Sequence, residues 1–421
     1  MTESKPSLLY ISPVMPLPGG NGLAMRAYNV LKALAQKYHV HLLAGSGSFR
    51  FRPEDACEEL AGLCTSIACI PSHPGNNPDL LLRALLHRFG YPLYRRLFRA
   101  PRDYFPLTGR IERTLNRIGP GGQIDVIHVF RLYMFPVAEF YLRGNPSAAC
   151  RLDLDDVESE TRRRISVLFR LGGDGKTADR TLMDAALYES IEGAVLPRCR
   201  RVFVCSEIDR EKVCRKYRLS NVAVVPNTVQ LPAVQLSTRA PTGCSATEGF
   251  TFLFVGSMGY YPNRDAVLFF CRQVLPLLRR MTTRTISLKL VGSGAGREIA
   301  EAVSRTREAE LVGHVADVTP HYDKADAVIV PIRGGGGTRI KVLEAFAHRR
   351  PVVSTHAGME GIDAHHEVHA LLADNEQGFS AQCARLMDDF DLGRRLVESA
   401  FHLLCTRYHP ALTAEGLFDE M

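Results

Sequence analysis

The chain has 421 residues, 46% of them hydrophobic and 23% charged, and carries a net charge of +7. This is the make-up of a folded globular protein long enough for two domains. It holds no apolar run of about 18 residues, hence no candidate transmembrane helix; its eleven cysteines are odd in number and lack CxxC or CxxH spacing, which points to reduced thiols in a cytoplasmic protein and away from a disulfide scaffold or a zinc site.

Met1 to Pro18 lacks the basic segment and cleavable apolar core of a secretion signal, and Leu8–Ser12 reads as a first strand. The loop after it, with Gly19, Gly20 and Gly22, opens a helix predicted over Ala24–Tyr38. A structural turn accounts for those glycines, and so does an anion site. Further strands are expected at Val40–Ala44, Ser66–Ile70, Val126–Phe130, Ala149–Asp153, Val202–Cys205 and Val222–Val225, with a helix at Ala185–Ala194. Ser206 and Glu207 supply the hydroxyl cap and early acid of another helix.

Between Arg83 and Arg117 nine arginines (Arg83, Arg88, Arg95, Arg96, Arg99, Arg102, Arg110, Arg113 and Arg117) are interleaved with Leu, Phe and Tyr. Such a segment suits docking to an anionic membrane surface or a lipid-phosphate substrate. A solvated face with snorkelling side chains explains it equally well. No nucleic-acid-binding pattern accompanies the charge, so nucleic acid is not an expected partner.

Periodicity stops between Asn227 and Gly249, where Pro232, Pro241, Gly243 and a Ser/Thr-rich stretch mark a linker. Strands then resume at Thr251–Val255, Leu288–Val291, Leu311–Val312, Ala327–Val330 and Val352–Ser354, and helices at Asp265–Arg280, Ile299–Glu308 and Thr338–His348. This alternation predicts an α/β protein of two doubly wound, Rossmann-like domains facing a cleft. The expected boundaries are 1–228 for the first domain, 229–249 for the linker and 250–395 for the second domain, with a C-terminal helix over 396–421 crossing back to the first. Gly292 to Gly296 follows a strand, but the acidic residue that a dinucleotide fingerprint needs roughly 20 positions on is missing.

The most informative stretch is Gly334-Gly335-Gly336-Gly337-Thr338-Arg339-Ile340-Lys341-Val342-Leu343-Glu344, where a strand ends, four glycines form a loop and a helix opens with two cations. A helix N-terminus is partially positive and favours acids. Arg339 and Lys341 make sense there if an anion lies among them, held also by backbone N–H groups that glycines leave accessible. The plainer reading, an i,i+3 pair of Lys341 with Glu344, leaves the four glycines unexplained.

With these pieces in place the chain resembles the retaining glycosyltransferases of family 4, which have the GT-B fold, and more closely the sugar transferases of bacterial exopolysaccharide systems. The residues that carry the resemblance include Pro18-Gly19-Gly20, Val204-Cys205-Ser206-Glu207, Val224-Val225-Pro226-Asn227 and Phe254-Val255-Gly256-Ser257-Met258. Leu290 to Gly294, Val312 to Val318 and the block Gly334 to Gly361 follow in the same order. The resemblance implies a UDP- or GDP-sugar donor, no required cofactor or metal, and a lipid-linked or glycan acceptor in exopolysaccharide or cell-surface glycan synthesis. The protein would be cytoplasmic and peripheral to the inner face of the membrane.

It further implies that Arg339 and Lys341 meet the diphosphate, with Gly20, Gly256, Arg264, Gly335, Gly336, Gly337 and Thr338 around the donor. Glu344 would hold the ribose hydroxyls, and Val315 would lie where backbone groups meet the base. His128 matches a histidine near the sugar, although a histidine at a strand end is also ordinary structure. Asp153 and Asp155 form a DxD; lining the acceptor site is expected of them rather than metal ligation. The first glutamate of the family's pair would fall at Gly336, a departure that leaves the sugar's identity open. The expected activity is hexosyl transfer; the alternatives are a GT-B sugar-nucleotide epimerase and a catalytically inactive nucleotide-binding scaffold.

Overall fold

In the computed structural model the described residues are 5–45, 56–70, 89–101, 107–232 and 249–418, with Arg52, Glu54, four positions in 81–86 and residues 103–105. Most of the expected linker, 233–248, lies outside them, as do Arg83, Arg88 and Arg102 and the side chain of Arg95. The chain divides into two compact units. The first comprises residues up to Arg163, Asp179–Pro226 and those from Thr413 on; the second comprises Arg164–Ala178 and Asn227–Leu412.

The first unit contains a seven-stranded parallel sheet: β1 (Ser7–Ser12), β2 (His39–Ala44), β3 (Cys64–Cys69), β4 (Val126–Phe130), β5 (Ala149–Asp155), β6 (Arg201–Val204) and β7 (Val222–Val224), in the order β3-β2-β1-β4-β5-β6-β7. Leu8 to Ile11 and Val126 to Phe130 are buried on both faces of this sheet, which is why these strands read as unbroken apolar runs. The expected helix Ala24–Tyr38 runs from Gly22 to Leu34, with Asn21 as its cap, accepting from Ala24 N at 2.9 Å. Ser206 likewise caps helix Glu207–Tyr217 by accepting from Asp209 N. Helix Gly175–Val195 extends the predicted Ala185–Ala194 segment.

The second unit repeats the plan with β8 (Phe250–Val255), β9 (Ile286–Val291), β10 (Ala309–Gly313), β11 (Ala327–Val330), β12 (Val352–Ser354) and β13 (Leu371–Leu372), in the order β10-β9-β8-β11-β12-β13. Strand β13 is two residues long, too short to leave a periodic signal. The expected helix Asp265–Arg280 is a helix from Tyr261 to Phe269, a π-turn over Phe270–Val274 and a helix over Leu275–Met281. Pro276 lacks the N–H that would continue regular i→i−4 bonding through this segment. Helix Ile299–Glu308 is observed as Arg297–Ser304.

The expected C-terminal element, 396–421, is two helices. Phe390–Arg407 lies in the second unit, whereas in Ala411–Phe418 the buried Leu417 joins the first unit's core with Leu8, Tyr10 and Tyr38.

Candidate functional site

In each sheet the first strand lies beside the fourth, so that the chain leaves in opposite directions on either side and a crevice opens at the carboxyl ends. In the second unit this switch point lies between β8 and β11. The loops after these two strands are Gly256–Tyr260 and Pro331–Arg339. Gly292 backs the first of them so closely that a Cβ there would stand 1.9 Å from Gly256 O. Packing therefore explains Gly292, and likewise Gly294, where a Cβ would stand 2.9 Å from Gly259 N.

The loop after β11 starts from a fixed base. Arg333 makes a bidentate pair with the buried Asp265 (3.0 and 2.7 Å) and lies over the Phe269 ring. Gly335 and Gly337 take φ of +108° and +67°, which L side chains tolerate poorly. The helix begins at Ile340, two residues later than expected, with Arg339 extended at its N-cap. The Arg339 guanidinium folds back on the loop: Nη1 donates to Gly336 O and Gly337 O, and Nη2 to Gly334 O. Arg339 Nε and Thr338 Oγ1 are buried without hydrogen-bond partners. Arg164 pairs with Glu360 and donates to Gly335 O at 3.3 Å.

Lys341, in the first turn of the helix, reaches across the switch point. Its Nζ lies 4.1 Å from the centroid of the Phe254 ring and donates to Asn263 Oδ1 at 2.8 Å. Asn263 Nδ2 in turn donates to Ser257 O, fixing the amide's orientation. A Cβ at Gly256 would stand 2.6 Å from Nζ, so the absent side chain is what admits the ammonium. Burial, reinforced by the nearby Arg339 charge and opposed by Glu344, pushes the Lys341 pKa down to about 7. Glu344 accepts from Tyr322 Oη at 3.0 Å, and burial raises its pKa against that bond and the charge of Lys341. Tyr322 stacks on His348 at 4.5 Å.

The structure thus brings Gly256, Gly335, Gly336, Gly337, Thr338, Arg339, Lys341 and Glu344 into one region of the second unit. Val315 is half-buried between β10 and helix Thr319–Lys324. Arg264 instead lies over the Tyr261 ring at 4.5 Å, with Nε 3.9 Å from Glu298, so its charge already has neighbours on its own side of the sheet. Gly20 is exposed, with φ of +106°, in the loop after β1 of the first unit.

Two expectations are corrected. His128 lies in the middle of β4, wholly buried, stacked between Tyr10 (5.4 Å) and Phe203 (5.7 Å). It is core, closed to a sugar; burial and the charges of Arg151 and Arg26 lower its pKa to about 3 and keep the ring neutral. Asp153 is a buried partner of Arg26 at 2.8 Å and so cannot line an acceptor site. Asp155, with φ of +55°, pairs with Arg131 at 3.0 Å, and Arg131 also meets Asp156 and Glu158. Burial and Asp156 lift the Asp155 pKa to about 6 despite Arg131 and Arg26. The two arginines explain why this acidic run is tolerated in the interior.

Sequence reading passed over Asn263, Tyr322, Arg26 and Arg131. The Pro262-Asn263-Arg264-Asp265 run at a helix start was the available signal for the first. Nothing local marked the others.

A family model described as Glycosyltransferase Family 4 matches residues 20–231, half of the chain. The chain belongs to glycosyltransferase family 4. A second model, Glycosyl transferases group 1, matches residues 249–389 of this family 4 protein. A curated relative, an uncharacterized 44.6 kDa protein in the cps region of Klebsiella pneumoniae, is 23% identical over 175 residues, covering 40% of this chain and only 45% of that protein's length.

Among solved structures, sucrose-phosphate synthase from Thermosynechococcus elongatus superposes with a TM-score of 0.64 at 16% identity, covering 98% of this chain and 97% of that one. Anabaena HepE, solved with UDP and glucose, gives 0.64 at 12% identity, covering 98% of each chain. These neighbours and the two parallel sheets make the fold GT-B.

Proposed function

We propose that this family 4 protein is a retaining glycosyltransferase that moves a hexosyl group from a UDP- or GDP-sugar to a lipid-linked or polysaccharide acceptor in the assembly of a cell-surface or exported glycan. The observation that carries this reading is the meeting of the glycine loop, Lys341 and Glu344 at the switch point of the second sheet. Loop amides and the ammonium suit the diphosphate, and a carboxylate held on one side by Tyr322 can still accept from ribose hydroxyls. As the bond between the sugar's C1 and the phosphate oxygen breaks, the acceptor oxygen bonds to C1 on the same face and its proton passes to the departing phosphate. Stabilising that departing charge is the site's main catalytic task.

Location at the inner face of an anionic membrane is supported by residues 89–99, where Phe89 and Leu97 are 76% and 58% exposed near the exposed Arg96 and Arg99. The cps-region relative supports the glycan pathway. The test is a panel of nucleotide sugars incubated with and without membrane extract. Release of nucleoside diphosphate only when acceptor is present supports transfer. Conversion of the donor without acceptor indicates an epimerase, and binding without turnover a scaffold. Sedimentation with anionic vesicles, lost on replacing Phe89 and Leu97 with Ser, tests the membrane contact.

A further inference from the structure

Two cations stand where the glycine loop meets the helix, Arg339 at its N-cap and Lys341 in its first turn, yet only one of them is placed to meet a ligand. We propose that Arg339 is a positioning residue: it gathers the loop's carbonyls onto its guanidinium so that the opposite N–H groups form the cradle for one phosphate of a diphosphate, while Lys341 supplies the contacting charge. The proposal rests on the donor-site reading above.

The geometry is specific. The planar guanidinium presents several N–H groups in a fixed fork, and here Nη1 serves Gly336 O and Gly337 O while Nη2 serves Gly334 O. In a trans peptide the C=O and the next residue's N–H point in opposite directions. Turning these three carbonyls onto Arg339 therefore turns the N–H groups of Gly335, Gly337 and Thr338 away from it. Among the described residues, none of those three N–H groups donates to another backbone carbonyl. Gly335 and Gly337, at φ of +108° and +67°, permit the alternation that lets successive N–H groups converge on an anion. Thr338 Oγ1, buried and without a partner in the same loop, is a further donor.

To contact the diphosphate directly, Arg339 would have to release the carbonyls that shape the loop. Two of the four glycines, Gly335 and Gly337, are then explained as well. Gly335 must accommodate Arg339, since a Cβ there would lie 3.3 Å from Nη2, and the run must bend twice within four residues.

Charge-preserving substitution separates positioning from direct contact. Calorimetry should measure binding of inorganic pyrophosphate, UDP and GDP to the wild type, Arg339→Lys, Arg339→Ala and Gly337→Ala, with KM and kcat for the best donor and a melting curve for each variant. A lysine keeps the charge but cannot fork three carbonyls. Arg339→Lys should therefore lose about tenfold or more in affinity, as much as Arg339→Ala. Gly337→Ala, which strains the loop without altering charge, should show the same loss. Arg339→Lys within about twofold of the wild type while Arg339→Ala loses tenfold would overturn the proposal. So would unchanged binding by Gly337→Ala, a test that stands even if the Arg339 variants fail to fold. If the wild type itself binds neither nucleotide and turns over no nucleotide sugar, the donor-site reading fails and takes this proposal with it.

Discussion

Replacing Lys341 with methionine removes a group whose charge the fold sets near neutral pH. Its pKa is pushed down from 10.5 to about 7, by burial first and by Arg339 second. A diphosphate against Nζ supplies opposite charge within hydrogen-bond reach, which should return the pKa to roughly 9 or above. At pH 8 about one free molecule in ten is then charged at this position, against about nine in ten when bound. Binding should take up about 0.8–0.9 proton at pH 8, about 0.5 at pH 7 and about 0.1 at pH 6. Apparent affinity should fall roughly 25- to 50-fold from pH 7 to pH 9. Calorimetry with UDP or GDP in buffers of different ionisation enthalpy measures the proton directly. Above pH 7 the nucleotide's terminal phosphate, with a second pKa of about 6, is already ionised and does not interfere. Lys341→Met should bind more weakly at pH 7 and show neither the uptake nor the slope. Uptake below about 0.2 proton at pH 8 in the wild type, or an equal slope in the methionine variant, would refute the reasoning.

Asn263→Asp places a carboxylate where Nζ now meets an amide, so the alkaline loss of nucleotide affinity should move up by about one pH unit or more in the same titration. Tyr322→Phe removes the bond that orients Glu344 and should weaken nucleoside diphosphate binding by about three- to tenfold, with the melting temperature as control. In the ligand-free protein the unfolded chain binds more protons than the native one between about pH 7 and 10 at Lys341, so this group's contribution to stability rises with pH. Lys341→Met should therefore melt above the wild type at pH 6.5, by a margin that narrows towards pH 10. His128 gives the same sign lower down: its native pKa near 3 means that stability is lost as pH falls from about 6.5 towards 3. His128→Phe should show a smaller drop in urea midpoint between pH 7.5 and pH 5.

Much of the fold was legible locally. The expected strands matched twelve of the thirteen among the described residues; those buried on both faces of a parallel sheet, such as β1 and β4, carry a continuous apolar signal. The four glycines at the carboxyl end of β11 marked a place where backbone approaches something closely, since glycine there is entropically costly and otherwise unexplained. Lys341 and Glu344, three residues apart at the helix start, could also be read from the sequence alone.

What tertiary structure decided was the direction and environment of the charged groups. Arg339 looked like a second anion ligand, but its guanidinium turns onto carbonyls two to five residues back, in a loop bent by the positive φ angles of Gly335 and Gly337. His128 is core because Tyr10 and Phe203, on β1 and β6, close over both of its faces. The partner of Asp153 is 127 residues away in sequence, and that of Lys341 is 78. Periodicity and propensity act over a few residues and therefore leave a trace in the chain. Pairing, stacking and desolvation act across space, and where a charge ends up depends on segments that meet only when the sheets have formed.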